Sequence, residues 1–334
     1  MKYRRLPGTE LDLPEVGFGV WTVSTDWWGR MEEIDRATLL QKAFDLGVTF
    51  FDTADIHGKG YGEEILFKAL RAQRHEIVIA TKFGYDFYNY LERVGHEERE
   101  QRFDREFIRF ACEQSLRRLG TDYIDLYQLH NPKIDVIEQD EVFRTLEDLV
   151  REGKVRYYGV SLGPDIGWVQ EGTASMCHRG IKSLEIIYNI LEQDPARCFF
   201  PIAKDKEIGL ISRAPHASGV LTSKHRRPPA SDGAIQATHR GNENFEEEME
   251  KAAMVEFLYQ GTGRTVAQAA IKFCLSQECV VSVLPNITTI EELLEYSAAP
   301  DCPDISDEEQ QTLDELWQER FCLSGAARAP DKEP

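Results

Sequence analysis

The stretch Phe50–Gly62, FFDTADIHGKGYG, decides the fold. It is a short apolar run that delivers a carboxylate, Asp52, to a glycine-punctuated loop. Two later runs end in a similar way. Ile77–Gly84, IVIATKFG, carries Lys82 near its end, and Tyr123–His130, YIDLYQLH, ends in His130. All three are continuously apolar, the pattern of strands buried on both faces. Each is followed by a stretch of helical periodicity. Repeated strand–helix units place chemistry at the C-terminal ends of their strands. An acid, an amine and an imidazole are therefore predicted side by side on successive strands.

Working outward, five further strands are predicted at Val16–Val23, Arg156–Gly163, Ser183–Ile190, Leu210–Pro215 and Val280–Pro285. Helices are predicted between them. Gly47 stops one at about Ile34–Leu46, and Asp104 caps another that Gly120 ends. Residues 2–16 read as a hairpin turning at Pro7-Gly8, and Ser306 caps a last helix. Eight βα units fit a (β/α)₈ barrel with an N-terminal hairpin and a C-terminal helix better than a doubly wound open sheet, because no second domain is left over. The barrel is expected over residues 1–323 as one domain, with 324–334 as a disordered tail.

Composition narrows the function classes. The chain of 334 residues carries a formal net charge of −19, which repels phosphate backbones and anionic lipid. No partner nucleic acid or membrane is expected. The N-terminus lacks the apolar core of a signal peptide, and no run reaches the ~18 apolar residues of a membrane span. The seven Cys have neither zinc nor redox spacing, so reduced thiols in a cytoplasmic protein, with no metal, are expected. GKGYG, Gly58–Gly62, is not a dinucleotide fingerprint, since its glycines are spaced 58, 60, 62.

Several motifs together carry a family resemblance. They are FFDTADIHGKGYGEEILFKAL (50–70), VIATKFG (78–84), SLRRLGTDYIDLYQLHNP (115–132), REGKVRYYGVS (151–161), GVLTSK (219–224) and AQAAIKFCLSQ (267–277) leading to SVLP (282–285). From about Tyr3 to Phe321 the chain resembles the aldo-keto reductases, NAD(P)H-dependent carbonyl reductases on a (β/α)₈ barrel. The resemblance implies an Asp-Tyr-Lys-His tetrad, in which the Tyr hydroxyl protonates the reduced carbonyl. Asp52, Lys82 and His130 match three of its members. His57 stands at the Tyr position.

That departure leaves three readings open. His57 is itself the acid, although a nearby Lys82 cation pushes an imidazolium's pKa down. Alternatively Tyr61 swings in. Or catalysis is attenuated and the protein is a nicotinamide-binding sensor or accessory protein. A non-redox lyase or isomerase using Lys82 or His57 as a base is a further alternative.

The cofactor side implied by the resemblance comprises Trp21, Ser161, Glu185, Tyr188, Arg213, Pro215, Gly219, Leu221, Lys224, Pro285, Asn286, Thr288 and Glu295. Several depart from the family pattern. Glu185 replaces a Gln, Leu162 an Asn, and Arg213-Ala214-Pro215 a Tyr-Ser-Pro. Thr288 stands where a basic residue commonly meets the 2′-phosphate of NADP, so the cofactor stays open between NADP and NAD. Trp27, Trp28, Tyr85 and Tyr88 are expected to line a pocket for a small carbonyl substrate. A monomer or weak homo-oligomer is expected.

Overall fold

The computed structural model describes residues 1–26, 28–29, 31–89, 99–163, 168–223 and 245–322. Trp27, Lys224 and the 324–334 tail lie outside these residues. Ten strands are described. β1 (Tyr3–Arg5) and β2 (Asp12–Pro14) form an antiparallel hairpin, with Tyr3 opposite Pro14. β3 (Phe18–Gly19), β4 (Phe50–Asp52), β5 (Val78–Phe83), β6 (Ile124–His130), β7 (Val155–Ser161), β8 (Ser183–Ile187), β9 (Gly209–Arg213) and β10 (Val280–Leu284) pair in that order, all parallel. A parallel bridge between Val16 and Val283 closes the ring, with Gly17 donating to the Val283 carbonyl at 2.9 Å. The protein is a (β/α)₈ barrel.

Helices α1 (Trp21–Ser24), α2 (Glu33–Asp45), α3 (Tyr61–Leu70), α4 (Arg105–Leu119), α5 (Ile134–Ile137), α6 (Asp140–Arg151), α7 (Val169–His178), α8 (Ala196–Asp205), α9 (Phe245–Met254), α10 (Val266–Leu275), α11 (Ile290–Ser297) and α12 (Asp307–Gln318) accompany the strands. Several ends follow local chemistry. The Asp104 carboxylate accepts from the Phe107 amide at 3.0 Å, and Gly120 ends α4 in the left-handed region. Ser306 and Glu309 form a reciprocal capping box at α12. One predicted strand is corrected. Val16–Val23 is paired only at the Val16 bridge and at Phe18–Gly19, and Trp21–Ser24 is a helical turn. The chain bends there because the Thr22 hydroxyl donates to the carbonyls of Gly19 and Ile287, at 3.0 and 2.8 Å.

The barrel interior is layered by the two-residue period of its strands. Phe50, Ala80, Leu126, Ile211 and Val281 form an apolar floor, sealed by Leu6, Leu11 and Leu13 of the hairpin. One step up is a polar layer. The Ser183 hydroxyl donates to the Gln128 side-chain carbonyl at 3.1 Å. Gly159 makes room for this layer, since a Cβ there would lie 2.1 Å from Ser183 Oγ. Above it come the charged residues. The larger apolar core lies outside the barrel, between strands and helices.

Candidate functional site

Strand register assembles the site. Asp52 ends β4, Lys82 is one residue from the end of β5, and His130, Ser161 and Glu185 form one row across β6, β7 and β8. Arg213 ends β9. Lys82 is buried, and its ammonium touches the Asp52 carboxylate, donates to the Thr53 carbonyl at 2.9 Å, and lies 3.2 Å from Glu185 Oε2. Gln128 donates to the same Glu185 oxygen at 3.1 Å. Arg213 donates through an Nη to the Leu162 carbonyl at 2.6 Å, and its Nε lies 3.8 Å from Glu185 Oε1. Two carboxylates and two cations therefore share the top of the barrel.

These neighbours split the carboxyls. Burial and then the Glu185 charge push Asp52 up to about 8, against the pull of Lys82. Burial also acts upward on Glu185, but Lys82, Arg213 and the Gln128 hydrogen bond outweigh it and hold that carboxyl below its ordinary value. The contrast follows from the partners: Glu185 has two cations and an amide, whereas Asp52 Oδ2 is buried with no partner. A carboxyl pair sharing one ammonium titrates jointly.

His57 is positioned by a tightly turned loop. Its amide donates to the Ala54 carbonyl and its carbonyl accepts from the Gly62 amide, both at 3.0 Å. Gly62 is needed behind it, because a Cβ there would come within 2.5 Å of Thr53 Oγ1 and 3.3 Å of the His57 Cβ. The His57 and His130 rings meet edge to face with centroids 5.9 Å apart. The Tyr85 ring also meets that of His130 edge to face, with centroids 5.0 Å apart, and Asn131 donates to the Tyr85 hydroxyl at 2.9 Å. Both imidazoles are surrounded by protein yet keep part of their surface accessible. The Nδ1 of each is buried without a partner. Desolvation first, and then charge, hold both rings well below the ordinary histidine pKa. For His57 the charges are Lys82 and Arg213, and His130 feels the His57 ring as well. Both are neutral at pH 7.

Not every expected residue arrives here. The Tyr61 hydroxyl lies 3.4 Å from a Glu33 carboxylate oxygen, and its ring lies under Arg36 and Lys68. It is therefore held between α2 and α3 rather than over Lys82. Tyr188 is a correction as well. It lies three residues beyond Glu185, so alternation turns its ring outward, where it packs against Phe200 and Phe273 with centroids 5.1 and 5.0 Å away. Tyr88 packs on Phe107 and Phe110 of α4 and accepts from Arg118 at 2.9 Å, on the flank rather than at the mouth. Trp21 and Trp28 meet edge to face at 6.3 Å near the start of the chain's path to α2.

The remaining cofactor candidates occupy the turns after β9 and β10. Pro215, Gly219 and Leu221 are buried in a turn in which Ala217, Ser218 and Gly219 all have positive φ. Pro285 is buried and Asn286 half-buried at the end of β10. Thr288 is bonded to an acid: Glu292 Oε2 accepts from its amide at 2.9 Å and its hydroxyl at 2.8 Å. Glu295 joins α11 to α10, accepting from the Thr265 hydroxyl at 2.5 Å. Sequence reading had not anticipated the Glu292 contact. The i, i+4 spacing from Thr288 to Glu292, across the start of a helix, was the signal that could have found it.

Residues 15–318 match the Aldo/keto reductase family model, and the chain belongs to that family. It is 30% identical to YqkF of Bacillus subtilis, described as an uncharacterized oxidoreductase, over 94% of this chain and 95% of that one. It is 27% identical to the Schizosaccharomyces pombe aldo-keto reductase yakc [NADP(+)], over 86% of this chain and 84% of that one. Among solved structures, the holo form of the aldo-keto reductase AKR11C1 from Bacillus halodurans superposes with a TM-score of 0.77 at 29% identity. That match covers 95% of this chain and 96% of the other. No helix among the described residues is long and apolar enough to cross a membrane.

Proposed function

From membership of the aldo/keto reductase family, we propose that this protein reduces an aldehyde or ketone to an alcohol, with hydride from a reduced nicotinamide dinucleotide. The site is Asp52, His57, Lys82 and His130. One observation carries the reading: two neutral, partly accessible imidazoles face each other 5.9 Å apart, each with an unpartnered ring nitrogen, beside a buried ammonium. These orphaned polar atoms, with Arg213 Nε also unpartnered, suit a ligand rich in carbonyl and amide groups. Ser161, Glu185 and Arg213 would hold the nicotinamide end, and the turn at 215–221 the phosphates.

The cofactor supplies a hydride to the carbonyl carbon. The protein's part is electrostatic. A neutral imidazole is a hydrogen-bond donor, so His57 and His130 each offer an N–H to the carbonyl oxygen as charge develops there. Lys82 adds a fixed positive potential, held in place by Asp52, Thr53 and Glu185. His57 then gives its N–H proton to the oxygen and regains one from water, so the ring begins and ends neutral. A tyrosine is the stronger acid, so His57→Tyr should raise the reduction rate, by up to ~10²-fold.

Within this reading the favoured cofactor is NADH. Thr288 stands where the resemblance puts a basic partner for a 2′-phosphate, and here it is bonded to the Glu292 carboxylate. A like charge beside a phosphate costs several kcal/mol. The NADP(+) in one relative's name points the other way for that protein. Quenching of Trp fluorescence during titration with NADH and NADPH tests this directly. The expectation is binding of NADH at least ~10-fold tighter, with the gap narrowed in Glu292→Gln. No quench with either cofactor would reject the reading. Binding without turnover on any aliphatic or aromatic aldehyde or ketone would leave the sensor in its place.

A further inference from the structure

The loop that carries His57 is strained and is held from outside the barrel. Gly58, Lys59 and Gly60 follow one another in the left-handed region, with φ of 60, 56 and 96°. Such a backbone persists only where its surroundings fix it. On one side stands the end of α1, since a Cβ on Gly58 would lie 2.4 Å from the Ser24 carbonyl oxygen. On the other stands Arg118 of α4, since a Cβ on Gly60 would lie 2.6 Å from Arg118 Cδ.

The Arg118 guanidinium divides its hydrogen bonds between two parts of the chain. Its Nε donates to Glu63 Oε2 at 2.6 Å. Glu63 is fully buried in the first turn of α3, and its other oxygen accepts from the Thr81 hydroxyl at 2.6 Å, next to Lys82 on β5. The Arg118 Nη2 donates to the Tyr88 hydroxyl at 2.9 Å, and that hydroxyl donates to Oδ2 of the fully buried Asp55 at 3.5 Å. Arg118 therefore reaches Asp55 through Tyr88, and Gly60 and Glu63 directly, on both sides of His57 in the chain. Tyr88 is three residues from Tyr85, whose ring meets that of His130. The segment between them is itself pinned. Tyr85 bridges to Gln101, and Arg102 donates to the buried Asp86 carboxylate at 3.2 Å.

We propose that Arg118 and Tyr88 are positioning residues for His57. Their hydrogen-bonded bridge fixes the His57 loop against the loop that carries Tyr85, and so keeps the His57 N–H aimed at the carbonyl oxygen. The inference rests on the reductase reading above. Arginine suits the task because its planar fork serves a carboxylate and a phenol at once, whereas the ammonium of a lysine is a point charge on a flexible stem. The bridge bears on rate because proton transfer requires hydrogen-bond reach, and a displacement of about 1 Å costs up to ~10²-fold.

Three variants separate positioning from packing. Tyr88→Phe keeps the ring against Phe107 and Phe110 and removes the bridge to Asp55. Its kcat and kcat/KM for reduction should fall together, roughly tenfold, with KM and the NADH dissociation constant unchanged. Arg118→Met strands the buried Glu63 as well and should be both slow and less stable to urea. Arg118→Lys restores a cation beside Glu63 without the second arm, so it should regain urea stability while remaining as slow as Tyr88→Phe. If Arg118→Met does not fold, the other two variants carry the test. A readout apart from turnover comes from ¹H–¹⁵N spectra of the histidine rings in the cofactor-free protein. The His57 signals, identified by their absence in His57→Tyr, should shift or broaden in Tyr88→Phe, while those of His216 stay in place. Wild-type kcat in Tyr88→Phe, or unmoved His57 signals, would overturn the positioning role whatever the urea midpoints. His57 signals that respond as described in a protein that reduces no carbonyl would overturn the reductase reading and leave the bridge to the His57 loop standing.

Discussion

The two ends of the barrel use similar residues to opposite ends. At the floor, Arg4 donates to the carbonyls of Leu275, Gln277 and Val280 and pairs with Glu15. Asp125 is buried, yet it accepts from Arg74, Arg156 and the Ile79 amide at 2.7 to 3.0 Å. Glu10 of the hairpin accepts from Tyr157 and Arg156, which hold its carboxyl at about 2. Charge there is bonded almost throughout, Glu15 Oε2 excepted. At the mouth, Asp52, His57, His130 and Arg213 each keep a buried polar atom with no partner. The floor is a satisfied network that closes the ring. The mouth carries unsatisfied groups, and the protonation of Asp52, His57 and His130 is pushed away from ordinary values, the condition in which groups are ready for ligands and protons.

Removing one cation from each end should sharpen the contrast. Lys82→Met should have the largest effect. It leaves Asp52 and Glu185 facing each other without their ammonium, and breaking a buried pair in this way costs ~3–5 kcal/mol. Turnover should fall by ~10²–10⁴-fold, because the fixed positive potential is also lost. Urea denaturation and steady-state rates on the same preparation check both. A Lys82→Met protein as stable as wild type would mean that the carboxylates neutralise themselves by protonation.

At the floor, Arg4→Met should cost about 3 kcal/mol, since it strands three carbonyls and Glu15. Its KM and kcat should match those of wild type below the unfolding transition. A change in kcat would mean that the hairpin does more than seal the barrel.

The difference between the ends also explains what sequence reveals. Strands, helix ends and the Asp52, Lys82 and His130 positions are local facts. A continuously apolar run, an Asp before a helix and a glycine after one are all readable within about ten residues. Glu185 beside Lys82 is not local. The contact exists only because a barrel curves β8 back toward β5, and no periodicity encodes that. Tyr188 misled for a related reason. Its position suggested the mouth, but alternation counted from Glu185 turns its ring into the outer core. Trp21 was read as strand because its neighbours are apolar, whereas a hydroxyl bonded to Ile287, 265 residues away, bends the chain.

A third residue lies between these extremes, and its effect should be smallest. His216 is buried after β9, with Nε2 3.2 Å from the Ala267 carbonyl and its ring 4.5 Å from that of Tyr296. Burial lowers its pKa from 6.5 to about 4, the hydrogen bond to Ala267 acting weakly the other way. The folded state therefore binds this proton less readily than the unfolded chain. Its contribution to stability is complete above pH 6.5 and is lost as pH falls toward 4. At pH 5 the loss should be roughly 2 kcal/mol. His216→Phe abolishes that titration while keeping a ring against Tyr296. Its urea midpoint should depend less steeply on pH between 7 and 4.5 than that of wild type, whatever the offset at pH 7. His57 and His130 are depressed in the same sense, so some acid sensitivity should survive in the variant. If the two slopes were equal, the acid response would belong to the mouth alone, and His216 would be a packed ring with no titration of consequence.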